Sequence, residues 1–290
     1  MSDAILHRLR SRAQDLGGFD VRRLLPAAAC RNVGPFIFLD HIGPAQFAPG
    51  GGIDVRPHPH IGLATVTYLF EGAMLHRDSL GVVQEIRPGD VNWMTAGRGI
   101  VHSERTPEKE RAEGMQLHGL QFWVALPLAH EEAEPAFRHC PAASLPVLEG
   151  RGHWLRLIAG AAFGLVSPAP ALSPLFYADL HMEAGSDFLL PAEHAERALY
   201  VLEGELVLDD ETLPVQDVIV LAPGQPLRLD ARTGVRVMLF GGEPLDAPRH
   251  MWWNLVSSRP ERIEQAKADW ADDRFPAVPG ESERIPLPPR

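Results

Sequence analysis

From Thr65 to Phe70 the chain alternates, with Val66, Tyr68 and Phe70 interleaved between Thr65, Thr67 and Leu69. That is the period-two signature of a strand. Short strands are predicted to follow at Met74 to Arg77, Val82 to Ile86, Val91 to Thr95 and Ile100 to Glu104. Turn signals separate them: Glu71-Gly72, Arg87-Pro88-Gly89-Asp90 and Gly97-Arg98-Gly99. Met115 to Leu126 is apolar and aromatic enough for a long core strand. The second half repeats the style, with strands expected at Ala198 to Leu202, Glu205 to Leu208, Asp217 to Leu221 and Val235 to Phe240.

Two phrases recur at nearly the same offset. Tyr68-Leu69-Phe70-Glu71-Gly72 is echoed by Tyr200-Val201-Leu202-Glu203-Gly204, and Pro88-Gly89-Asp90 by Ala222-Pro223-Gly224. A duplicated β-barrel is the simplest account. The expected domains are a first barrel over residues 1–135, a proline-punctuated linker with minor strands over 136–175 (Trp154 to Ile158 among them), and a second barrel over 176–290. One helical pattern stands out near the C-terminus. Ser257 or Ser258 is the expected N-cap, Pro260 and Glu261 suit the first turn, and Ile263, Ala266, Lys267 and Trp270 form a stripe that predicts docking on a barrel.

Composition narrows the class. The 26 glycines and 27 prolines suit many short strands and turns. The formal net charge of −11 speaks against direct nucleic-acid binding, which needs a basic face. Two distant cysteines, Cys30 and Cys140, speak against a disulfide framework and exclude a multi-cysteine zinc site. The first residues lack an apolar core of signal-peptide length and no stretch approaches 18 apolar residues, so a cytoplasmic protein without a membrane span is expected.

The candidate chemistry lies in two short pairs, His58-Pro59-His60 and His102-Ser103-Glu104. Residues i and i+2 of a strand share a face, roughly 6–7 Å apart. On adjacent strands these pairs would gather three imidazoles and one carboxylate around a point. That donor set suits a divalent transition metal, with iron(II) a natural candidate and manganese, cobalt, nickel, copper and zinc also compatible. Taken alone, His58 and His60 also read as surface or turn histidines beside prolines. The second half has Pro191-Ala192-Glu193-His194 at the matching place, so the metal site is confined to the first barrel. His76 reads as a histidine paired with Asp78 or as support for the ligands, and His118 as a cavity or core histidine. His130, His139 and His153 read as structural or exposed, and Trp93, Met94, Phe122 and Trp123 as core.

The stretch Arg56-Pro57-His58-Pro59-His60-Ile61-Gly62-Leu63-Ala64-Thr65-Val66-Thr67-Tyr68-Leu69-Phe70-Glu71-Gly72 resembles the pirin family. So do Pro88-Gly89-Asp90-Val91-Asn92-Trp93-Met94-Thr95-Ala96-Gly97-Arg98-Gly99-Ile100-Val101-His102-Ser103-Glu104 and Gly119-Leu120-Gln121-Phe122-Trp123-Val124. The resemblance covers nearly all of the first half and, more loosely, the second. It implies an all-β bicupin: two stacked antiparallel barrels of jelly-roll type with a short C-terminal helix. It also implies iron held by His58, His60, His102 and Glu104. Ala64 departs from the general cupin pattern, which places an acid there; with Glu104 supplying the carboxylate, coordination need not be disturbed, and a change of pocket polarity or of a contact behind the ligands is the expected consequence.

The resemblance further implies a quercetin 2,3-dioxygenase, an oxidoreductase that opens a flavonol ring with O₂ and releases CO. Glu104 would be its base, and the strand carrying Phe122 and Trp123 its aromatic wall. The partners expected are then a flavonol or another enolic small molecule and O₂, acting on a monomer. The alternative it offers is a non-catalytic, iron-dependent redox sensor that binds a transcription factor or metabolic enzyme.

Overall fold

The computed structural model describes residues 2–15 and 19–288. Strands dominate, and the described residues hold two α-helices, Glu108–Glu113 and Pro260–Ala271. The chain divides into two compact units. One comprises residues 1–12, 23–39 and 143–244, and the other 13–22, 40–142 and 245–290.

The second of these units carries the candidate chemistry. A four-stranded sheet runs in the order Asp54–His60, Ile100–Arg105, Met74–Asp78, Val83–Ile86. A larger sheet contains Ala136–Cys140, Val91–Thr95, Leu63–Glu71 and Met115–Ala125 as successive neighbours. All these pairings are antiparallel. An apolar cluster of Ile42, Ile53, Leu69, Met74, Ile86 and Leu117 closes one part of this unit. The other unit pairs a sheet built on His153–Ala162, Leu175–Met182, Glu196–Glu203, Val218–Leu221 and Val235–Gly242 with a four-stranded sheet of Asp187–Leu190, Leu206–Leu208, Glu211–Thr212 and Leu227–Ala231. Each unit is therefore a cupin built from a large and a small antiparallel sheet, as the duplicated phrases predict. The repeated turn glycines adopt matching left-handed conformations: Gly72 (φ 83°) with Gly204 (φ 87°), and Gly89 (φ 85°) with Gly224 (φ 90°). A side chain at Gly72 or Gly204 would also meet the backbone oxygen of Gln116 or Gly234.

Three expectations change. Residues 136–175 are not a linker. Ala136–Cys140 adds a strand beside Val91–Thr95, and the ten-residue His153–Ala162 sits inside the large sheet of the other unit. The prolines punctuate the ends of these strands rather than prevent them. Residues 245–290 do not join the second barrel, and with them goes the helix. Ile263 and Ala266 pack with Ile61 and Leu255, while Trp270 and Val278 pack with Val101. Conversely, Ala4 and Ile5 enter the apolar core of the unit built on residues 143–244. The helix N-cap is Arg259, because the expected serines are engaged elsewhere. Ser258 bonds the Glu131 carboxylate through its N–H and its hydroxyl, both at 2.7 Å, and Ser257 Oγ accepts the Arg259 N–H. Cys30 and Cys140 are free thiols. No described helix is long and apolar enough to cross a membrane.

Candidate metal centre

His58 and His60 lie on the edge strand Asp54–His60 and face the neighbouring Ile100–Arg105. An edge strand tolerates Pro57 and Pro59, which cannot donate to a ladder. His102 stands directly opposite His58. Between His102 and Glu104 the register shifts, so that Glu104 faces Val55 and the edge strand carries one extra residue at Arg56-Pro57. On its other side the same strand places Asp78 opposite His102 and His76 opposite Glu104. Residues paired across a ladder share a face. One face of this small sheet therefore presents His58, His60, His102, Glu104, His76 and Asp78, all of them buried.

Three imidazoles converge. Among the described residues, His58, His60 and His102 form the group able to hold a metal ion, with ligand atoms all within 4.8 Å of one another. His60 Nε2 and His102 Nε2 are 3.1 Å apart. Two ligands about 2.1 Å from one ion and at right angles to each other would be separated by about 3 Å, so the spacing fits a shared cation. The outer ring nitrogens are already committed. His58 Nδ1–H donates to the Arg56 carbonyl (2.9 Å), and His60 Nδ1–H to the Asn254 carbonyl (3.2 Å). That leaves Nε2 of each as a bare lone pair directed inward, the arrangement typical of metal-ligating histidines.

His102 is oriented by a longer line. Its Nδ1 lies 3.4 Å from His76 Nδ1, and His76 Nε2 is 3.0 Å from Asp78 Oδ2. The other Asp78 oxygen accepts the backbone N–H groups of Leu80 and Val82. Both sequence readings of His76 thus meet: it pairs with Asp78 and it supports His102, a candidate ligand. Burial holds the three ligand imidazoles neutral. It lowers His58 to about 4 and drives His60 and His102 well below the ordinary histidine range, with neighbouring imidazoles adding to the effect. Neutral imidazole is the ligating form.

Glu104 is not in the group of three. Its Oε1 accepts a 2.7 Å hydrogen bond from Gln121 Nε2, which also reaches Thr67 Oγ1 at 3.3 Å. Burial pushes the Glu104 carboxyl up to about 7, against the lowering effect of the Gln121 bond. Gln121 and Trp123 share a face of Met115–Ala125, and Trp123 stands edge-on to His60 with ring centroids 5.2 Å apart. Phe122 points to the opposite face, paired with Val66, so the aromatic wall expected from both residues reduces to Trp123. Ala64 shares that opposite face, two residues from Val66, and lies off the Gln121 side of the sheet. Its effect on site polarity is therefore not seen.

Two site residues were not singled out in the sequence. Gln121 lay inside an apolar strand, where its period-two relation to Trp123 was the available signal. Phe137, from the segment read as linker, stacks on His76 at 4.4 Å. His118 is not part of the cluster: it stacks on His41, with Nε2 atoms 2.7 Å apart. His139 pairs with Asn92 at 2.8 Å.

The Pirin family model matches residues 18–124, and the model of the Pirin C-terminal cupin domain matches residues 177–276. A pirin-like protein of Caulobacter vibrioides is 51% identical over 283 residues, covering 96% of this chain and 97% of its own. Pirin of Homo sapiens is 32% identical over 269 residues, covering 90% of this chain and 89% of its own. A crystal structure of quercetin 2,3-dioxygenase from Acinetobacter baumannii superposes with a TM-score of 0.91 at 35% identity, over 99% of this chain and 96% of that one.

Proposed function

This chain belongs to the pirin family, and from that premise we propose that it is a quercetin 2,3-dioxygenase-type oxidoreductase. In this reading it opens the central ring of a flavonol, or of a similar enolic compound, with O₂ and release of CO. The observation that carries the proposal is the convergence of three neutral, inward-facing Nε2 donors beside a buried carboxyl of raised pKa. The full-length likeness to the Acinetobacter baumannii quercetin 2,3-dioxygenase supports the choice of substrate class.

His58, His60 and His102 would hold the metal, with Glu104 as fourth ligand and iron(II) as first choice. When bound, the metal supplies charge stabilisation for a deprotonated substrate and a redox partner for O₂.

The chain's own contribution is proton handling and orientation. Glu104, while off the metal, is suited to take the proton of the flavonol 3-hydroxyl. Gln121 donates to Oε1 and so leaves Oε2 to bind the metal or, when off it, to accept the proton. Trp123 offers an apolar edge beside His60 for a flat substrate. Burial of Glu104, Trp123 and the three histidines limits the water available for side reactions.

The test is protein reconstituted anaerobically with Fe(II), its occupancy checked by elemental analysis, then mixed with quercetin in air. Oxygen uptake and loss of flavonol absorbance at matching rates are expected. Full occupancy with neither signal would sink the catalytic reading and leave metal binding itself standing.

A further inference from the structure

The last part of the chain returns to the metal-bearing strands at three separate points. First, the hairpin of His250–Trp252 and Leu255–Ser257 docks beside residues 60–62. Leu255 bridges Ile61, the Val256 N–H bonds the Ile61 carbonyl, and its turn presents the Asn254 carbonyl to His60 Nδ1–H. Gly62 makes this approach possible, since a Cβ there would sit 2.1 Å from the Val256 oxygen. Second, the Ile285 N–H donates to the Pro57 carbonyl at 2.8 Å, immediately before His58. Third, Glu281 grips the back of the strand that carries His102 and Glu104. Its Oε1 accepts from Ser103 Oγ (2.8 Å) and Arg105 Nε (2.8 Å), and its Oε2 from Arg105 Nη2 (2.6 Å).

Ser103 and Arg105 alternate with His102 and Glu104 along one strand. The ligand pair faces inward, and the next residues along are held from behind. The Glu281 side chain is only 7% exposed, so this fork is shielded from solvent, where charge-assisted bonds fix geometry best. Packing of Trp270 and Val278 on Val101 seats the same segment, and Trp270 Nε1–H bonds the Ile285 carbonyl. The His60 tautomer and the placement of both ligand strands thus depend on residues nearly 200 positions away in sequence.

We infer that residues 250–288 are a positioning part of the metal centre, with Glu281 as its principal anchor, so that docking of this segment and metal binding strengthen each other. The inference rests on the reading of His58, His60 and His102 as metal ligands. Coupling between two binding events is reciprocal. The segment should therefore tighten the metal, and the metal should tighten the segment.

The probe is Co(II), followed by its visible absorption in the full-length chain. In Glu281→Gln and in Ser103→Ala, each checked for native circular dichroism, Co(II) affinity is expected to fall about tenfold, with an altered band shape. In the unmutated protein, trypsin cleavage after Arg274 and Arg284 is expected to slow when Co(II) is bound and to recover when a chelator removes it. This second measurement needs no variant and stands even if one of them does not fold. A Co(II) spectrum with unaltered affinity in the variants, together with cleavage indifferent to metal, overturns the proposed coupling. No Co(II) band in the unmutated protein overturns the metal reading on which the proposal depends.

Discussion

Replacing Asp78 by asparagine is expected to weaken metal binding without altering a ligand. In the native chain Asp78 Oδ2 accepts a hydrogen bond from His76 Nε2–H, so His76 Nδ1 is an acceptor. His102 Nδ1, 3.4 Å away, must then donate, and His102 Nε2 is bare for the metal. Asparagine keeps one oxygen for the Leu80 and Val82 N–H groups but offers an amide N–H toward His76. In the metal-free chain the whole line can reverse. The amide donates to His76 Nε2, His76 Nδ1–H to His102 Nδ1, and His102 Nε2–H to His60 Nε2. Every group remains bonded, so metal-free stability should change little. Metal binding, however, forces the proton of His102 back to Nδ1, where it faces another N–H. One buried bond is then lost, at a cost of about 1.5–3 kcal/mol, or about 10- to 100-fold in affinity. Parallel Co(II) titrations and urea melts of the metal-free proteins test this. Unchanged affinity would refute the tautomer argument. So would a loss of affinity matched by an equal loss of metal-free stability, since that pattern reports general damage.

Gln121→Leu removes the one donor seen on Glu104 Oε1 while keeping side-chain size. With quercetin as substrate, kcat is expected to fall by about 10- to 100-fold with little change in KM, and an unchanged kcat in steady-state assays would remove Gln121 from its assigned role. In the other unit, burial alone would raise the Asp179 carboxyl, but hydrogen bonds from His181 and a two-pronged Arg236 hold it down to about 2. A depressed carboxyl stabilises the fold above its ordinary pKa, and that contribution disappears as the pH falls toward the folded value. The stability gap between native protein and Asp179→Asn should therefore be widest above about pH 5 and narrow by about 2–3 kcal/mol on acidification toward pH 2, as read from urea melts. A gap independent of pH would contradict the assignment.

What could be read from the sequence was whatever depends on neighbours along the chain. The i, i+2 spacing put His58 with His60, and His102 with Glu104, and the strands around them appeared where alternation was strong. The parity of Ala64 was equally legible: it sits two residues from Val66 and so on the face away from Thr65 and Thr67. What depends on distant partners was not legible. The stripe Ile263, Ala266 and Trp270 announces a buried face but carries no information about which barrel it covers. Ala4 and Ile5 likewise give no sign that they belong to the core that holds Leu221. The proline spacing of residues 136–175 imitates a linker, because proline marks the end of a strand as readily as its absence. Phe137 was lost to the site for that reason.

The two units use one scaffold for opposite interiors. In the unit built on residues 143–244, the inner positions are aliphatic: Leu155, Leu157, Leu180, Leu199, Val201, Leu206, Leu229 and Val237 belong to one large cluster. Such a core is stable without a ligand. In the other unit, inner positions are spent on histidines and two carboxyls, with a half-buried glutamine beside them, and the buried groups cost stability unless each is bonded. The Arg56 and Asn254 carbonyls, the Asp78 line and Gln121 meet that need from fixed positions. Apolar packing covers the same strands from the C-terminal segment, where Ile263, Ala266, Trp270 and Val278 pack on Ile61 and Val101, the residues that adjoin His60 and His102 in sequence. The polar interior and the returning C-terminal segment thus belong to one unit, and the segment covers the strands that carry the candidate ligands.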